Sequence, residues 1–458
     1  TVLSAILESV DVCSNAVPRA DRNLSARHFG PAMFPTPPAD VPPDPVTPVP
    51  PPTPSHMAPL SRGALAMMLA GLSMLGPLSI DTYLPAFGAI QGSLQASPLE
   101  VQQSLTFYML AFAGMVLWHG AISDTFGRRN VVLVSLLMFA IGSLGCASAH
   151  TVHYLWFFRI LQGVSAGAGV VISRAIIRDL YADAAAARLL SLVTMIFSIA
   201  PAVAPILGGW IVIWFDWRSI FLFLAFYTVV LLAFCYWRLP ETLPMEKRQP
   251  FNPRFLASSY GQILRSPLFH IKAGIVALNF AGLFLFITAA PEMLPKQLGL
   301  GPSQFAWLFI PCVSGIFMGA AAANRIAGKV TFARQIGIGF AFLLCAASVN
   351  VVYHLFLPPS LPWSVLPLFF YTFGMSLVGP GATLLALDLF PHIRGTVASC
   401  QSFASTLLGA VVAGVISPLL SGSVLWLASG QLAFTALALA LWLISRRFRH
   451  RLLGSLKI

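Results

Sequence analysis

Two ionisable side chains stand out because of where they lie. Asp81 is the only ionisable residue between Arg62 and Glu100, inside an apolar stretch. Arg159 occupies a second such stretch, in the run Arg159-Ile-Leu-Gln162-Gly163. A charge in a lipid-spanning helix is expensive and generally faces a cavity or a partner. A carboxylate withdrawn from water resists ionisation, so it can exchange a proton for another cation or for a change of conformation. Asp81 is therefore the expected proton-coupling group. Arg159 is the expected second member, its charge acting on a nearby carboxylate. The bland alternatives are a capping or pairing carboxylate at the outer end of its helix, and an arginine near a membrane face whose side chain snorkels to the interface.

The elements that must hold these groups follow from composition. Of 458 residues, 57% are hydrophobic and 9% charged, against about 25% charged in an ordinary soluble protein. A chain with so little charge needs lipid as solvent, which leaves helices or closed barrels. Apolar runs of about 18–25 residues favour helices over the alternating ten-residue pattern of a barrel. Twelve spans are expected: 64–90, 102–122, 131–149, 154–173, 192–213, 218–237, 272–290, 305–325, 335–356, 362–386, 396–419 and 424–445.

The net charge of +12 does not point to nucleic acid. The basic residues fall in short clusters in alternate connections: Arg128 and Arg129; Arg174, Arg178 and Arg188; six between the sixth and seventh spans; Arg325, Lys329 and Arg334; Arg394; and the tail from Arg446. The intervening connections hold only Arg218 and Lys296. By the positive-inside rule both termini are expected in the cytoplasm, which requires an even number of crossings.

The polar stretch 239–268 divides the chain into six-helix bundles at 60–238 and 269–445, with a basic tail at 446–458. Residues 1–59 are proline-dense and expected to be disordered. Met57 is the expected natural start, with a genuine cytoplasmic tail as the competing reading. The six cysteines form no CxxC pair, and the histidines lack metal-ligand spacing. No phosphate-binding glycine loop is present. No enzyme, metal or cofactor is expected.

Several motifs carry a family resemblance. Gly120-Ala-Ile-Ser-Asp124-Thr-Phe-Gly127-Arg128-Arg129 resembles the loop motif of the major facilitator superfamily, departing from it at Thr125, where a basic residue is usual. The corresponding second-half connection, Gly319 to Lys329, is a degraded echo. Arg159-x-x-Gln162-Gly163 is similar to a fourth-helix motif of that superfamily. Pro205, Gly208 and Gly209 resemble its drug/proton antiporter element, with Ala204 in place of the usual glycine. Asp81-Thr-Tyr83-Leu-Pro85, Arg174 to Tyr181, Trp217 to Phe221 and Leu239 to Leu243 resemble the Bcr/CflA drug-resistance subfamily.

The resemblance implies a twelve-helix fold in two halves that exports small hydrophobic drugs across the bacterial inner membrane, driven by the proton gradient and without a cofactor. It implies a conformational latch at Gly120, Asp124, Gly127, Arg128 and Arg129 that holds the two halves together in one state. It also implies a central substrate cavity, for which the candidates are Tyr83, Tyr108, Gln162, Asn279, Phe284 and Tyr371. The protein is expected to work as a monomer. A transporter of a native metabolite, in either direction, is the alternative, and a non-transporting receptor a more distant one.

Overall fold

The computed structural model describes residues 61–454. The expectations for residues 1–59 and for 455–458 fall outside what is described, while the basic tail from Arg446 continues the last helix to Gly454. Among the described residues there are helices and no strand. Twelve helical segments are long and apolar enough to cross a membrane.

In the first half, α1 (Arg62–Asp81), a 3-10 turn (Leu84–Ala86) and α2 (Phe87–Leu94) make the first span. The expected single helix is broken at Thr82. Pro85 has no N–H to offer the carbonyl of Asp81, four residues back, so the ladder fails immediately after the carboxylate. Then come α3 (Pro98–Phe126), α4 (Arg128–Ala147) and α5 (Val152–Leu180). The fifth span is split into α6 (Asp183–Phe197) and α7 (Ala200–Trp214), with Pro201 in the first turn of α7 and Pro205 inside it. The sixth is α8 (Arg218–Arg238).

A short helix, α9 (Pro253–Leu264), lies in the stretch expected to be a plain linker. The second half is α10 (Pro267–Leu298), α11 (Ala306–Ile326), α12 (Phe332–Phe356), α13 (Leu366–Leu387), α14 (Arg394–Val411) with a π-turn (Val412–Ile416) and α15 (Ser417–Leu420), and α16 (Val424–Gly454).

The halves repeat one packing plan. α3, α4 and α1 pack on α5, and α8 packs on α4; in the second half α11, α12 and α10 pack on α13, and α16 packs on α12. The spans α10 and α1 are the most enclosed, and broad hydrophobic side chains such as Trp214, Phe226, Trp237 and Phe356 stand exposed on the perimeter. In lipid that exposure is solvation rather than a liability.

The halves meet along α3 and at the end away from the basic loops. There α7 packs on α11 and on the turn Pro302–Phe305, and the Leu84–Ala86 turn touches α10. α3 packs on α14 and its π-turn. Toward the basic end, α6 packs on α1 and α5 of its own half.

Candidate functional site

Asp81 is the last residue of α1 and is 6% exposed. No described side chain hydrogen-bonds or ion-pairs with its carboxylate. Arg159, on α5, is fully buried, which excludes snorkelling. Its Nη1 donates to the Ser79 carbonyl (3.2 Å), the Ser79 hydroxyl (2.7 Å) and Gln162 Oε1 (2.9 Å). The guanidinium lies between two rings, 4.7 Å from the Tyr83 centroid and 4.3 Å from that of Tyr108. These cation–π contacts replace part of the solvation that the charge loses. Nε and Nη2 of Arg159 have no partner. Asp81 and Arg159 do not form an ion pair; the arginine is joined to α1 through Ser79, two residues before the carboxylate.

The shell around the arginine is polar and ordered. Gln162 Nε2 donates to Ser143 Oγ at 2.8 Å, and Tyr83 Oη and Ser104 Oγ are 2.7 Å apart. Phe221, from the Trp217 to Phe221 motif, lies against Tyr83 with centroids 5.4 Å apart. Sequence reasoning missed Ser79, Ser104 and Ser143. Ser79 had a signal, since Ser79, Asp81 and Tyr83 line the end of one helix; Ser104 and Ser143 come from other spans and had none.

The six residues expected around one cavity divide into three places. Tyr83, Tyr108 and Gln162 surround Arg159 in the first half. Asn279 and Tyr371 lie inside the second half, where Tyr371 Oη donates to the Asn279 carbonyl at 3.2 Å. Both polar side-chain atoms of Asn279 are buried without a partner. Phe284 stacks on Phe280, centroids 5.2 Å apart, and both face Gly409 of α14, which also meets Met109 of α3. The second half carries no acidic or basic side chain at mid-span in α10 to α14.

A cavity of about 440 Å³ lies between the halves at the end away from the basic loops. None of the six lines it. Its wall includes Leu84, Phe87, Gln102, Thr288, Glu292 and Lys296. Glu292 accepts from Lys296 Nζ at 2.6 Å and from Ser421 Oγ at 2.5 Å. Beside it, Gln102 and Gln103 of α3 donate across to the carbonyls of Thr288 (3.4 Å) and Gly414 (2.9 Å).

Pro205, Gly208 and Gly209 explain how the ends approach. A Cβ on Gly208 would overlap the Thr82 carbonyl in the same half, and one on Gly209 would overlap the Pro302 carbonyl in the other. α7 is therefore a spacer with no side chain at its two tightest points.

At the basic end, motifs far apart in sequence converge on Arg128. Its side chain pairs with Asp124 (2.5 Å) and Asp179 (3.0 Å) and donates to Ser123 Oγ (2.6 Å). Its backbone N–H donates to Glu241 Oε1 at 2.9 Å, and Glu241 also faces Arg248 at 3.5 Å. Gly127, at φ +90°, leaves no room for a Cβ beside the Glu241 carboxylate. Arg129 donates to the Tyr236 carbonyl at 2.7 Å, Gly120 faces Val171 of α5, and the Thr125 hydroxyl donates to the Ala121 carbonyl. These partners belong to the first half and the segment that follows it. In this conformation the expected latch between halves instead holds the first half to its own exit segment.

A bundle of twelve spans in two repeated halves, with a buried charge cluster in one, defines a polytopic transporter. The Major Facilitator Superfamily model matches residues 66–414, and the chain belongs to that family. It is 32% identical over 360 residues to an uncharacterised transporter of the same type, YdgK of Bacillus subtilis, covering 78% of this chain and 89% of that one. It is 27% identical to a bicyclomycin resistance protein homolog of Haemophilus influenzae, covering 77% and 88%. Among solved structures it is similar to the human organic anion transporter MFSD10, with a TM-score of 0.62 at 21% identity, covering 84% and 99%. The last likeness is one of fold. The protein is a multi-pass membrane transporter and not an enzyme.

Proposed function

We propose that the protein exports small hydrophobic compounds in exchange for protons, with the basic end in the cytoplasm and Asp81 as the exchanging group. The observation that carries this reading is the unpaired, buried Asp81 at a helix break, two residues beyond Ser79, which holds an arginine whose guanidinium is only half satisfied. Protonated, Asp81 is neutral and at ease in its apolar surroundings; ionised, it is drawn toward the Arg159 charge. The two forms therefore favour different arrangements of α1 against α5, which lets a proton bias a conformational equilibrium. Arg159, fixed by Ser79, Gln162 and two tyrosine rings, supplies the stationary charge.

A hydrophobic cargo is supported by the aromatic faces of Phe280 and Phe284 at the seam and by the charge-free interior of the second half, since apolar walls with a few polar groups suit such ligands. The likeness to a bicyclomycin resistance protein homolog supports the same class. The test is accumulation of phenicols, bicyclomycin and cationic dyes in cells stripped of their own pumps and expressing the chain, with and without a protonophore. Lower accumulation that the protonophore reverses is expected. Unchanged accumulation across the panel, with the protein present in the membrane, overturns the drug-export reading.

A further inference from the structure

The segment between the halves is built as a strap. After Glu241 engages Arg128 at the start of α4, the chain runs along α3 and touches it three times. The Gln249 N–H donates to the Asp124 carbonyl at 3.2 Å. The Phe251 ring lies 6.1 Å from that of Trp118. The Tyr260 hydroxyl donates to the Leu117 carbonyl. Leu117 and Asp124 are seven residues apart, two turns of one helix, so the two carbonyls that accept these hydrogen bonds share a face of α3.

One turn past Tyr260, α9 changes halves. Ile263 is fully buried in a small cluster with Phe269 and Ala273 of α10 and Val397 and Cys400 of α14, and Leu117 of α3 packs against the same cluster. The short helix is amphipathic, with Ser259, Tyr260 and Ile263 turned inward while Arg254 and Gln262 face out. Burial pushes the Tyr260 phenol up to about 12, so it remains a donor throughout the physiological range.

We propose that α9 is a wedge inserted at the basic end of the α3–α14 seam, and that its docking, pinned by Tyr260 and Ile263, favours the conformation in which the opposite ends of the halves are closed. The halves meet on α3 and α14 where Thr106 faces Gly414, where Met109 meets Gly409, and where Leu117 packs against the cluster of Val397 and Cys400. Rocking them to open the far end must bring their basic ends together, and that movement closes on the space α9 fills. Undocking α9 therefore lowers the cost of the other state. The strap is a positioning device for the transport cycle and rests on the reading of the chain as an alternating-access exporter.

The test uses the purified full chain in detergent, with its six native cysteines replaced and one reporter thiol restored at a time. Thr106→Cys reports the far end, because Thr106 is 9% exposed and faces Gly414 across the seam. Cys400 itself reports docking of α9. Tyr260→Phe removes one hydrogen bond and is expected to raise maleimide labelling at both reporters by roughly fivefold, the effect of losing one such bond. Ile263→Ala, which acts through packing instead, is expected to move both in the same direction. Faster labelling of Cys400 with no change at Thr106→Cys overturns the coupling, and no change at either reporter in both variants overturns the strap. Because labelling needs no substrate, a strap that moves both reporters in a protein without drug export separates failure of the exporter reading from failure of this one.

Discussion

Replacing Gly209 with alanine puts one methyl group where the structure has none to spare. The added Cβ would overlap the Pro302 carbonyl oxygen and come within 2.9 Å of its carbon and 3.1 Å of Ser303 Cα. These are backbone atoms of the other half and cannot rotate away. Overpacking of this kind costs about 1–3 kcal/mol. Because the clash spans the two halves, it is relieved when their far ends separate, so the cost falls on one conformation rather than on the fold. That corresponds to about a 5–150-fold shift in the balance of states. The assay is thiol labelling of Thr106→Cys in a cysteine-free background, read beside thermal unfolding in detergent. Labelling should rise by at least fivefold with little change in unfolding temperature. Gly208→Ala is the control: its Cβ meets Thr82 within the same half, so it should lower the unfolding temperature more than it moves the labelling. Equal labelling in Gly209→Ala and the parent, with the protein folded, would refute the reasoning.

Arg159→Lys keeps the charge but loses the planar group that lies against Tyr83 and Tyr108 and the fixed geometry toward Ser79 and Gln162; proton-driven export should fall by at least tenfold in accumulation assays while membrane levels hold. Arg128→Ala leaves Asp124 and Asp179 without their shared side-chain partner while keeping the backbone N–H that Glu241 accepts from, and is expected to cost about 1.5–3 kcal/mol, seen as a lower unfolding temperature.

The number and order of spans were legible because lipid imposes length and apolarity on every crossing, and no distant contact can substitute for either. Asp81 was legible for the same reason, as an isolated carboxylate in an apolar run. The break beside it was not expected, although Pro85, which cannot donate to the Asp81 carbonyl, causes it. Other features depend on the third dimension. Whether Arg159 snorkels or is buried is decided by Tyr83 and Tyr108 closing over it from two other helices, which spacing along α5 does not reveal. The α9 helix hid in a polar stretch because its inward residues, Tyr260 and Ile263, make a face only one turn long. The Glu292–Ser421 contact joins residues 129 positions apart, and nothing local marks either. The latch motif was recognisable, but its partners Asp179 and Glu241 belong to other motifs, and only folding brings them to Arg128.

The central claim is that Asp81 carries the proton. The most direct measurement is export from proteoliposomes in which a pH step drives movement of a labelled substrate, comparing the parent protein with Asp81→Asn. The amide keeps the size of the side chain and cannot ionise. The account predicts that the variant reconstitutes and binds substrate but shows no uphill movement and no substrate-dependent proton flux. Uphill transport by Asp81→Asn at the parent rate would contradict it.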